Sequence, residues 1–107
     1  MSKLKPLKRL REIKVKSLRQ LFSTPRRWSK GHFFSDDRMS CCLLGGVNLV
    51  YKNIKDNDCI RKKLEKAILE YTRNRPTGRI TSHVPTFNDD VSTTFEDIKQ
   101  VVKLAGV

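Results

Sequence analysis

Ile60, Leu64, Ala67, Ile68 and Tyr71 recur at i, i+4, i+7, i+8 and i+11, the strongest helical period in this chain. The spacing predicts a helix capped by Asp56 or Asn57 and stopped by the turn cluster Asn74-Arg75-Pro76-Thr77-Gly78. Phe95, Ile98, Val102 and Ala105 form a second inward face, with Val101 beside them, behind a Thr93-x-x-Glu96 capping box. Cys41 to Tyr51 is apolar nearly all round, which predicts a central buried helix capped by Ser40. Gly45 and Gly46 weaken that helix by about 1 kcal/mol each relative to Ala, so their expected role is to admit a neighbouring element closely. Val15, Leu18, Leu21 and Phe22 share one face of a first helix that begins between Glu12 and Val15 and stops before Pro25.

The segments between these helices are less regular. Residues 26–40 lack a helical period, and Trp28, His32 and Phe34 fall on one side of an extended chain. With Asp36-Asp37 as a turn, this stretch is expected to be a short hairpin or an ordered loop. Residues 79–90, which include Pro85, are expected to be a mostly extended linker. The predicted fold is therefore all-α: a compact domain of about four helices, with a hairpin or ordered loop between helices one and two. Residues 14–107 form this domain, and residues 1–13 form a basic arm.

Composition fits that picture. At 107 residues and 37% hydrophobic, the chain has material for one modest core. Its longest apolar run, Cys41 to Val47, is far below the roughly 18 to 20 residues that span a bilayer, so no membrane partner is expected. The N-terminus is basic and leucine-rich without a following apolar stretch, which argues against a secretory signal. Three cysteines, two of them adjacent, read as reduced apolar filler in an intracellular, cytoplasmic protein.

Three short motifs occur in order: Trp28-x-x-Gly31, then Cys42-Leu43-Leu44-Gly45, then Phe87-Asn88-Asp89 ahead of Thr93 and the last helix. This series resembles a small uncharacterised family of phage and bacterial proteins. Its members share a helix leading into W-x-x-G, a C-x-L-G-A helix, and F-N-D or W-N-D before a capped C-terminal helix. The resemblance covers roughly residues 14–105. It implies a compact helical domain of phage or mobile-element origin, with bacterial cytoplasm as its setting, and it implies no activity. The chain departs from the pattern at Gly46, where the family has Ala, and in its strongly basic start.

That basic start is the clearest functional signal. The first 31 residues hold eleven of the 23 Lys and Arg and only one of the eleven acids, Glu12. Ordinary surfaces mix signs, so the bias favours a polyanion or an acidic protein surface. The candidate polyanion-binding residues are Lys5, Lys8, Arg9, Arg11, Lys14, Lys16, Arg19, Arg26, Arg27 and Lys30. No helix-turn-helix, zinc finger or ribonucleoprotein motif accompanies them, so contact is expected through phosphates with little sequence preference.

Catalytic chemistry finds less support. Cys41, Cys42, Cys59, His32 and His83 lack zinc-ligand spacing, and no metal or cofactor is expected. A nucleophilic site built from Cys41 or Cys42, a histidine and Asn88 is weighed against buried, inert thiols, and the second reading is preferred. Asn88 and Asp89 are expected to tie their loop to the core. Trp28 is expected to pack against the second and last helices, and Phe33 to be exposed. The leading expectation is a non-enzymatic, phage-type accessory protein that binds nucleic acid. The alternative is a phage inhibitor seated on an acidic surface of a host nucleic-acid-processing or defence protein.

Overall fold

Residues 8–107 are described by a computed structural model. Among the described residues five α-helices form the fold: α1 (Leu18–Leu21), α2 (Leu43–Val50), α3 (Ile54–Asn74), α4 (Val84–Asp89) and α5 (Phe95–Ala105). Two single turns of 3-10 helix, Leu10–Glu12 and Pro25–Arg27, accompany them. Among the described residues there is no strand, only isolated bridges from Cys41 to Trp28 and to Phe34. The all-α class with about four helices is thus established, α1 being a single turn.

α3 is the axis of the molecule. Its buried residues Ile60, Leu64, Ala67, Ile68 and Thr72 keep the period read from the sequence. α5 lies along it, α2 and α4 also pack on it, and α1 closes the far side against α2 and α5. Leu18, Phe22, Leu43, Val47, Leu64, Ile68, Phe87, Ile98 and Val102 share the core between them. None of the described helices is long and apolar enough to cross a membrane.

Several local expectations need correction. The start of the expected first helix is not helical: Ile13 to Ser17 lies outside any helix, with extended backbone angles at Ile13 and Ser17. Ile13 and Val15 are half-buried and alternate with exposed Lys14 and Lys16, a period of two carried by β-branched residues. Ser17 then caps the short α1 by accepting from Gln20 N at 3.2 Å. The expected linker at 79–90 contains α4, because Pro85 sits in the first turn, where its missing N–H has no partner to lose. α3 begins earlier than expected: Asn53 Oδ1 accepts from Lys55 N at 2.9 Å and Asp56 N at 3.3 Å. Asn57 instead ties the end of α2 to α3 by donating to Asn48 Oδ1 and Tyr51 O. The α5 capping box is Thr94 with Asp97, one residue later than Thr93 with Glu96. The cap of α2 is Cys42, not Ser40.

The expected arm also changes. Leu10 is 2% exposed and donates its N–H to Arg38 O at 2.9 Å. From Lys8 onward the chain is therefore laid on the domain. Lys5 and the rest of the first seven residues lie outside the described residues.

Candidate functional site

The basic residues separate into pinned and free ones. Arg27 is 6% exposed, and its Nη1 donates to Lys8 O and, at 3.1 Å, to Met39 O. Burial pushes its pKa down. Among the described residues it has no carboxylate partner. Arg27 therefore joins two loops and is not available to a polyanion, which corrects the expectation. Lys30 is likewise engaged: its Nζ donates to Asp90 O at 2.6 Å and lies 5.5 Å from the centre of the Trp28 ring.

The residues beside the two Arg27 contacts create a cleft. Next to Lys8, the turn Leu10–Glu12 buries Leu10 and leaves Arg9 and Arg11 exposed on either side. Next to Met39, the loop from Ser35 to Ser40 is closed by Ser35 N to Ser40 O and Arg38 N to Ser35 O, both 2.9 Å. Asp37 is used inside that loop. Its Oδ1 accepts from Ser35 Oγ at 2.6 Å and Met39 N at 3.0 Å, bonds that hold its carboxyl below the usual carboxylate range. Arg38 takes φ +60°, uncommon for a residue with a side chain. Its guanidinium carbon lies 5.8 Å from the centre of the Phe34 ring.

Arg9, Arg11 and Arg38 thus surround a cavity of 430 Å³ whose floor is Leu10, Phe34 and Leu49. Among the described residues no carboxylate lines it; the acids nearest in sequence, Glu12, Asp36 and Asp37, lie outside the lining. Among the described residues none of the three arginines makes an ion pair. Lys14, Lys16 and Arg26 are exposed elsewhere. Arg19 faces a separate groove between α1 and α5, together with Lys99, Lys103 and Glu96. The sequence reading missed Arg38, Phe34 and Leu49. Their only sequence signal was the Asp36-Asp37 turn, which brings Arg38 round beside Phe34.

The three motifs meet at a second place. Asn88, 1% exposed, accepts at Oδ1 from Trp28 Nε1 at 2.7 Å and from Leu43 N at 3.1 Å. Its Nδ2 donates to Ser29 O and to Asp89 Oδ1. That same Asp89 oxygen accepts from Gly31 N at 2.9 Å, and Gly31 has φ +80°, the left-handed region that favours glycine. A Cβ on Gly45 would collide with the Phe33 carbonyl oxygen, so the helix approach needs this glycine. Trp28 is half-buried, 6.4 Å from Phe95 of α5, and Phe33 is 55% exposed.

This knot borders a cavity of 260 Å³ reached by Cys42, His32, Asn88 and Asp89. Its chemistry is muted. Burial pushes the Cys41 thiol up to about 12 and raises that of Cys42, whose Sγ accepts from Gly45 N at 3.3 Å. His32 bonds Ser29 Oγ, and His83 bonds Thr86 Oγ1. Among the described residues no three His, Cys, Asp or Glu side chains gather as a metal site would require.

No curated protein and no solved structure matches the chain. The model of a family of unknown function, DUF6197, matches residues 15–106, nearly the whole helical domain, and the chain belongs to that family.

Proposed function

We propose that this chain is a non-enzymatic binding protein that grips the phosphate backbone of nucleic acid through its basic N-terminal surface. The observation that carries this reading is the cleft walled by Arg9, Arg11 and Arg38, with no acid in its lining among the described residues. Phosphate oxygens suit the planar guanidinium fork, and release of counterions drives such contacts. Arg27 supports the reading from below by clasping the two loops that present the arginines. The raised thiols of Cys41 and Cys42 favour binding over nucleophilic catalysis.

Fluorescence anisotropy of a labelled oligonucleotide across a salt series tests this. Affinity should fall steeply with added salt. The variant Arg9→Glu/Arg11→Glu/Arg38→Asn should lose at least about tenfold in affinity and flatten the salt slope by about 2, three contacts at roughly 0.7 each for a single strand. Asn is chosen at 38 because it tolerates a positive φ. Lys62→Glu/Lys63→Glu on α3 serves as the charge control and should change affinity less. An unaltered affinity in the triple variant would refute the proposal. So would absence of binding to any nucleic acid combined with retention on an acidic protein, which is what the inhibitor reading expects.

A further inference from the structure

We infer that the arginine cleft accepts an unpaired nucleobase, so that the nucleic acid held there is single-stranded at the point of contact. This rests on the nucleic-acid reading above and sharpens it.

Phosphates alone do not require the floor that this cleft has. Leu10 is buried in the core, and Phe34 and Leu49 are half-buried beside it, so the cavity has an apolar part, chiefly Phe34 and Leu49, beside three arginines. Its 430 Å³ falls within the roughly 300–1,000 Å³ typical of organic ligands. On one side the Arg38 guanidinium carbon lies 5.8 Å from the Phe34 ring centre, within cation–π range. A base has two π faces and can lie against an aromatic ring or a guanidinium plane, while neighbouring arginines take its flanking phosphates.

The backbone supports this geometry. Arg38 is held at φ +60° by a loop whose turn is fastened through Ser35 and Asp37. Uncommon backbone conformations of this kind persist where the surrounding structure over-determines them. Here the determining bonds include Leu10 N to Arg38 O, which sets the arginine beside the apolar floor. Bases in a duplex are paired and stacked inside. They reach such a floor only if flipped out, at a cost of a few kcal/mol. A single strand offers its bases without that cost.

Three probes of one length decide the matter: a mixed-sequence single strand, the same sequence as a duplex, and an abasic strand with the same phosphates. For the unaltered protein, anisotropy should show the single strand binding about tenfold or more tightly than the other two. Phe34→Leu keeps an apolar side chain but removes the ring. It should lower single-strand affinity towards the abasic value while leaving the salt slope unchanged, because the phosphate contacts persist. Equal binding of duplex or abasic strand overturns the inference and leaves the nucleic-acid reading standing. A Phe34→Leu protein that retains its thermal melt and full single-strand affinity also overturns it. Failure of all three probes to bind overturns both. The abasic comparison uses the unaltered protein, so it does not depend on how the variant folds.

Discussion

Asn88 works as a two-ended clamp on segments far from it in sequence. Its oxygen serves the Trp28 indole and the first N–H of α2, while its nitrogen holds the Ser29 carbonyl. Asn88→Ala leaves two donors and an acceptor without partners in a site that is 1% exposed. The expected loss is about 2–5 kcal/mol, read from urea unfolding. Asn88→Asp keeps the acceptor, loses the donor and adds a carboxylate beside Asp89, so it should also destabilise. A loss below about 0.5 kcal/mol for Asn88→Ala would mean that the knot does not hold the fold. The resemblance marked Trp28, Gly31, Cys42, Gly45, Phe87, Asn88 and Asp89 as motif residues, and the residue types led to the expectation that Asn88 or Asp89 bonds a loop. The sequence did not show that Arg27 and Lys30 leave the basic surface. A run of like charges carries no mark of which member is buried or tied down, because that depends on carbonyls supplied by Lys8, Met39 and Asp90.

Elements with a full helical period were legible. α3 and α5 follow their apolar spacing, and α2 follows its apolar run. The short elements were not. α1 is one turn, too brief for a period to register, and Val15 completes a helical stripe with Leu18, Leu21 and Phe22 although it alternates with Lys14 and Lys16 outside the helix. α4 was hidden by Pro85, which stops helices in their interior yet fits their first turn. α2 also carries a test at this scale. Gly45→Ala would drive a methyl into the Phe33 carbonyl, which is fixed by its bond from Cys42 N at 3.1 Å. Gly46→Ala would meet the Phe22 ring edge at 2.9 Å and Leu21 at 3.0 Å, side chains able to shift. Both changes gain about 1 kcal/mol of helix propensity. The expected net loss is about 2 kcal/mol or more at Gly45 and near zero to about 1.5 kcal/mol at Gly46. Adding Phe22→Leu should lessen the Gly46→Ala clash. Equal melting temperatures for the two alanine variants would contradict this account.

Across the whole molecule, one buried cation gathers the ends of three helices. Arg75, just past α3, pairs with Asp90 at 3.5 Å and Asp97 at 3.9 Å, donates to Thr93 Oγ1 and lies 5.2 Å from the Phe87 ring centre. N–H groups of Arg79 and Ser92 hold the Asp90 carboxyl below the usual carboxylate range, with Arg75 adding to the effect. A lowered folded-state value means that Asp90 contributes stability above the ordinary carboxylate pKa. That contribution is lost as pH falls through the lowered value. Melting temperature should therefore fall below about pH 4, and Asp90→Asn should have a lower melting temperature at neutral pH and a shallower acid decline. An identical decline in both proteins would remove Asp90 from the explanation. The fold class was legible in the sequence because it follows from the long helices. The cleft was not, because it is assembled from three short stretches around residues 10, 36 and 49.

The separation of the bonded partners sets an order in time. The Arg27 clasp on Lys8 and Met39 spans at most 19 residues, whereas Trp28 and Asn88 are 60 apart. During synthesis at roughly 5–20 residues per second, the second contact must wait some 3–12 s after Trp28 is made. The arginine walls can thus be drawn together while the chain is still growing, and the Trp28 segment is locked only when α4 arrives.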